Sequence, residues 1–134
     1  KFTFIDESYN ANPSSVKNAI YNLSNIKNNN SKKYLLLGDM LELGKKSDVY
    51  HKNLSHFINE SDIDKLFVYG KNAFKTYQKT YKAKQGNILQ NINDFDEVFS
   101  NLIKKNDYLM IKGSNATGLN NLSKRIIAGH THAL

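Results

Sequence analysis

Three polar turns hold most of the residues that can do chemistry. The first is Asp6-Glu7-Ser8-Tyr9-Asn10-Ala11-Asn12-Pro13. Asn10 and Asn12 carry donors and acceptors suited to ribose and base edges. Tyr9 offers a ring face, and Asp6 or Glu7 can accept from sugar hydroxyls; sequence does not separate the two acids. The second turn is Gly38-Asp39-Met40-Leu41-Glu42-Leu43-Gly44. Asp39 or Glu42 can pair with an ammonium group. The third is Lys112-Gly113-Ser114-Asn115-Ala116-Thr117. Gly113 permits close backbone approach, and the N–H groups after it can meet an anion beside Lys112 and Ser114. Each turn also has a structural reading. Asn12 caps a helix, Asp39 caps its loop through backbone N–H groups, Lys112 pairs with a local acid, and Thr117 caps a helix.

The elements around these turns alternate between strand and helix. Residues 2–6 form an apolar strand, and Asn12-Pro13 opens a helix with Val16, Ala19, Ile20, Leu23 and Ile26 at helical spacing. Residues 28–31 end it in a polar loop. Residues 34–37 are a continuous apolar run, the signature of a strand covered on both faces. A second helix starts after Ser47, with Tyr50, Leu54, Phe57 and Ile58 inward. Residues 66–69 make a third strand, and a third helix presents Ala73, Phe74, Tyr77 and Tyr81. Ile88-Leu89 is a short strand, and Asn93 caps a fourth helix showing Phe95, Val98, Phe99, Leu102 and Ile103. Residues 108–111 are the fifth strand, and Leu119, Leu122 and Ile126 mark a last helix. This alternation predicts an α/β, Rossmann-like fold: a mostly parallel sheet of about five to six strands with helices on both faces. The polar turns then crowd the carboxyl ends of strands, where open α/β sheets bind ligands.

The motifs SYNANP (residues 8–13), LGDMLELG (37–44) and KGSNATG (112–118) together resemble the C-terminal domain of the Mur ligases. The resemblance covers residues 2–127. Within the family it is strongest to the members that add D-Ala-D-Ala to UDP-MurNAc-tripeptide. It implies a bacterial, cytoplasmic, ATP-dependent ligase that works through an acyl phosphate. ATP and Mg2+ would be held mainly by a central domain, and this domain would close over the site. It implies nucleotide contacts from Asp6, Glu7, Tyr9, Asn10 and Asn12. Dipeptide contacts would come from Asp39, Glu42, Lys112, Gly113, Ser114 and Asn115. The family pattern carries Arg after KGS, and Asn115 stands there in this chain. No catalytic side chain and no metal ligand is assigned to the domain itself. Residues 1–128 would be this domain, part of a longer enzyme with N-terminal and central domains, and 129–134 a flexible tail.

Size and composition narrow the alternatives. At 134 residues the chain is one domain able to bury a core. It lacks Cys, which excludes disulfides and thiolate sites. No apolar run approaches the length of a membrane span. The net charge is +7, but lysine is scattered and Arg125 is the sole arginine, so a nucleic-acid interface is not expected. Neither GxGxxG nor GxxxxGK[ST] occurs, so phosphates are not cradled in those ways by this chain alone. His51 and His56 lie five apart and make a poor metal pair. A free-standing Rossmann-like nucleotide or anion module, or a basic interaction domain, remains open.

Overall fold

The computed structural model describes residues 2–27 and 30–133. Strand β1 (Thr3–Glu7) leads to helix α1 (Pro13–Ser24), β2 (Lys33–Gly38) to α2 (Ser47–Asn59), and β3 (Lys65–Tyr69) to α3 (Ala73–Lys79). Strand β4 (Gln85–Leu89) is followed by α4 (Phe95–Phe99), and β5 (Tyr108–Lys112) by α5 (Leu119–Ala133). The sheet order is β1-β5-β2-β3-β4, with every neighbouring pair parallel.

Two cores flank the sheet, because alternate residues of a strand point to opposite faces. Leu35, Leu37, Leu66, Val68 and Met110 pack with α1–α3. Tyr34, Leu36, Phe67, Leu109 and Ile111 pack with α4 and α5. All of β2 is buried, as its unbroken apolar run requires. Helix α1 opens as its sequence dictates. Asn12 Oδ1 accepts from the Ser15 N–H at 2.8 Å, Ser15 Oγ accepts from the Asn12 N–H at 3.0 Å, and Pro13 takes the first turn.

The neighbouring strands β2 and β5 send their chains to opposite faces, which opens a crevice at their carboxyl ends. Gly38 and Gly113 sit there, each packed against Leu119, the fully buried first residue of α5. A Cβ on Gly38 would overlap Leu119 Cδ1, and one on Gly113 would lie 2.9 Å from the same atom. The glycines of LGDM and KGS are therefore the seat of a helix.

The amino edge is tied to itself. Asp107 accepts from the N–H groups of Lys32 and Lys104, at 2.9 and 2.7 Å. Asp64 accepts from the Lys33 N–H at 2.8 Å, and buried Lys33 Nζ donates to the Ser24 carbonyl at 2.7 Å. On the opposite side, near the starts of α2 and α3, Asp48 joins the two helices, holding Lys52 at 2.8 Å and Lys75 at 2.7 Å. Hydrogen bonds from Lys52 and then Lys75 pull its carboxyl from the ordinary range down to about 2. A lowered folded-state value means this tie is complete at neutral pH and is lost as pH falls toward 2.

Two local expectations change. In α3 the buried residues are Ala73 and Thr76, whereas Phe74 is 36% exposed and Tyr81 61%. The helix stops at Lys79 because Thr80 is extended, so Tyr81 lies beyond its inward face. The cap before α4 is Asn91 rather than Asn93; its side chain accepts from the Asn93 N–H at 2.9 Å. Helix α5 carries its backbone through Gly129 to Ala133. Residues 28 and 29 of the expected polar loop, and Leu134, lie outside the described residues.

The Leu119 seat makes a direct prediction. Gly38→Ala should cost about 1–3 kcal/mol by overpacking, measured by urea unfolding. The same substitution in a Leu119→Ala background should cost clearly less. Equal losses in both backgrounds would contradict the seat.

Candidate functional site

The three polar turns all emerge on the carboxyl edge, and their side chains divide into two groups. In the first turn, Asp6 Oδ1 accepts from the Ser8 N–H at 3.1 Å and the Ser8 hydroxyl at 2.6 Å. Asp6 thus closes an Asx turn over the fully buried Ser8. Asn12 is committed to its cap. Glu7 and Lys112 are register partners across β1 and β5, and Lys112 Nζ donates to Glu7 Oε1 at 3.2 Å. The Lys112 side chain is 5% exposed and that of Glu7 44%, so the pair runs from the interior to the surface. Tyr9, 55% exposed, and Asn10 are left facing solvent.

The second turn builds the other group. Asp39 Oδ1 accepts from the N–H groups of Asn72 and Ala73, at 3.1 and 2.7 Å, and Asn72 Nδ2 lies 3.4 Å from Oδ2. Helix α3 has no side-chain cap from Asn72, so Asp39 supplies one from a neighbouring strand end. Gly70, at φ +124°, packs against the same carboxylate, and a Cβ there would overlap it. Glu42 is exposed and holds a left-handed φ of 61°. Met40 is 1% exposed, and its N–H donates to Nε2 of His51 at 2.9 Å. Sequence reasoning weighed His51 only as a metal ligand; the structural signal was Ser47 one helical turn before it.

The third turn is held by its own threonine and by contacts to the first turn. The Thr117 hydroxyl donates to the Ser114 carbonyl at 2.6 Å and accepts from the Leu119 N–H at 3.3 Å. Gly118 turns the chain at φ +88° into α5. Ser114 Oγ reaches the Ala11 carbonyl at 3.5 Å, and Asn115 is exposed.

A cleft of about 580 Å³ opens between the second and third turns and the end of β3. Asp39, Leu41, Gly70, Lys71, Phe74 and Thr117 line it. Asp39 and Lys112 leave adjacent strands, since Leu37 is the register partner of Lys112. Their side chains nevertheless diverge, Asp39 toward α3 and Lys112 toward β1. Lys71, exposed at the start of the β3–α3 connection, is the cation that lines the cleft. Sequence reading missed it because one lysine after a glycine looks like any solvated lysine here.

A parallel sheet wound on both faces, with polar turns and a cleft on its carboxyl edge, defines a Rossmann-like α/β domain. The chain belongs to the Mur ligase family: residues 1–115 match the model of its glutamate ligase domain. It is 31% identical to the UDP-N-acetylmuramoyl-tripeptide–D-alanyl-D-alanine ligase of Bacillus subtilis strain 168, over 93% of this chain and 28% of that protein. It is 32% identical to the enzyme of the same name from Buchnera aphidicola subsp. Baizongia pistaciae, over 93% of this chain and 26% of that one. The fold matches the crystal structure of the MurF ligase from Thermotoga maritima in complex with ADP. The TM-score is 0.77 at 22% identity, over 92% of this chain and 27% of the other. The chain thus spans under a third of the length of these relatives.

The role of Asp39 in capping α3 is separable from its charge. Asp39→Ala should destabilise the chain by about 1–2 kcal/mol, the value of a helix cap, and Asp39→Asn, which keeps an oxygen acceptor, by much less. Urea unfolding reads both, and an Asp39→Ala chain as stable as the parent would contradict the cap.

Proposed function

We propose that this chain is the C-terminal domain of an ATP-dependent ligase that joins D-Ala-D-Ala to UDP-MurNAc-tripeptide. The observation that carries the reading is the cleft. It sets one carboxylate and one ammonium at a carboxyl edge, in a chain 31% identical to a ligase named for that reaction. D-Ala-D-Ala is a small zwitterion with two methyl groups. Asp39 suits its ammonium end, Lys71 its carboxylate, and Leu41 and Phe74 its methyls.

In this reading the tripeptide carboxylate first receives the γ-phosphoryl group of ATP, releasing ADP. The amine of the bound dipeptide then attacks the acyl carbon. A C–N bond forms, the C–O bond to phosphate breaks with its electrons leaving on phosphate, and the nitrogen loses a proton. The domain contributes by fixing the amine in direction and by excluding water when it closes. Tyr9 and Asn10 face outward beside the cap of α1 and suit the base and ribose of the nucleotide, with Asp6 and Asn12 holding the turn. Glu42, Ser114 and the exposed Asn115 border the dipeptide. Lys112, tied to Glu7, lies on the nucleotide side. Among the described residues no group of three or more His, Asp or Glu side chains could hold a metal ion. Mg2+ and most of the ATP contacts are given to the central domain, as the family resemblance implies, and the isolated chain should be catalytically silent. No helix among the described residues is long and apolar enough to cross a membrane. The reading places the enzyme in the bacterial cytoplasm, where ATP and nucleotide-linked precursors occur.

Steady-state kinetics on the complete enzyme test this. Losing a charge-assisted contact costs about 1.5–3 kcal/mol, so Asp39→Asn should lower kcat/KM for D-Ala-D-Ala about 10- to 150-fold. Lys71→Ala should act in the same direction, and both should leave KM for ATP within about twofold. Unchanged dipeptide kinetics in both variants would overturn the assignment.

A further inference from the structure

Met40 is the middle residue of the rim between two that line the cleft, Asp39 and Leu41. Its side chain is buried in the core, and its N–H is held by His51, a fully buried residue of α2 that is not among those lining the cleft. The imidazole is held at both ends. Nε2 takes the Met40 N–H at 2.9 Å, and Nδ1 lies 2.8 Å from the Ser47 carbonyl. A backbone N–H can only donate and a carbonyl can only accept. The ring is therefore neutral, with its proton on Nδ1.

The contacts around this ring close on themselves. The Thr76 hydroxyl of α3 donates to the His51 carbonyl at 2.6 Å. Helix α3 is in turn capped by Asp39, whose own carbonyl precedes the Met40 amide. Rim, α2 and α3 thus form a closed circuit through the His51 ring and main-chain carbonyl, the Thr76 hydroxyl and the Asp39 carboxylate. We infer that His51 is a positioning residue: it sets the rim of the cleft, and with it the Asp39 carboxylate and the Leu41 side chain, without touching the ligand. The consequence for the dipeptide rests on the ligase reading above; the consequence for the rim does not.

The test has two arms. In the 134-residue chain, nitrogen-detected NMR should show the proton on Nδ1 of His51 and slow exchange of the Met40 amide. His51→Leu should shift the amides of Asp39 and Leu41 and leave those of Tyr9 and Asn10 in place. A proton on Nε2, or a rim that ignores His51→Leu, would overturn the inference whatever the ligand is. In the complete enzyme, His51→Leu should raise KM for D-Ala-D-Ala about tenfold and leave KM for ATP within about twofold. His51→Gln, whose side-chain oxygen can take the Met40 N–H, should restore most of the loss. A parallel rise in both KM values would mean a general structural role and would also overturn it. If Asp39→Asn and Lys71→Ala are silent while the NMR arm holds, the ligase reading of the cleft fails and the positioning role stands.

Discussion

The carboxylate of Asp39 has to sit on the two backbone N–H groups that open α3, and the carboxyl edge is arranged around that requirement. Helix α3 is short and brings no cap of its own. Its first donors would otherwise point into a half-buried cleft without partners. Asp39 reaches them from the end of β2, because β2 and β3 are register neighbours, Gly38 opposite Tyr69. Gly70 must lack a side chain to let the carboxylate in. Once Asp39 is fixed, the cleft has one wall from the second turn and one from the start of α3. The motif LGDMLELG is in this sense a clamp first, and its charge faces the cleft as a consequence.

The two ends of the sheet are built differently for a physical reason. At the amino edge buried Asp107 and part-buried Asp64 are satisfied by backbone donors, and buried Lys33 donates to a backbone carbonyl, so little is left for a ligand. At the carboxyl edge the polar groups are shared between structure and solvent. Lys112 is nearly buried but its one partner is half-exposed, and Tyr9, Asn10, Glu42 and Lys71 face outward. Parallel strands collect the starts of their crossover helices at this one edge, so the exposed polar groups gather where those helices begin.

Much of the fold was legible in the sequence. The Asn12-Pro13 start of α1, the unbroken run of β2 and the strand–helix alternation are local signals with strong physical causes. The alternation led to the parallel sheet, and the three motifs led to the family. The misses have causes too. Phe74 and Tyr81 were read as inward because aromatic residues suggest a core, but α3 is too short to turn Tyr81 back onto the sheet. Glu7, the partner of Lys112, lies across the fold and Met40, one partner of His51, lies in a loop, and residue spacing carries no information about either contact. Gly113 reads as a ligand-facing glycine, yet the space that it and Gly38 leave is filled by Leu119. Lys71 lacked any motif around it and became visible only as part of the cleft wall.

A crystal structure of the complete enzyme with ADP and D-Ala-D-Ala decides where the dipeptide sits. The dipeptide is predicted in the cleft, its ammonium at Asp39 and its carboxylate at Lys71, with the Lys112–Glu7 pair intact beside the nucleotide. Dipeptide bound instead at Lys112 and Ser114, with the cleft empty or covered by another domain, would contradict it.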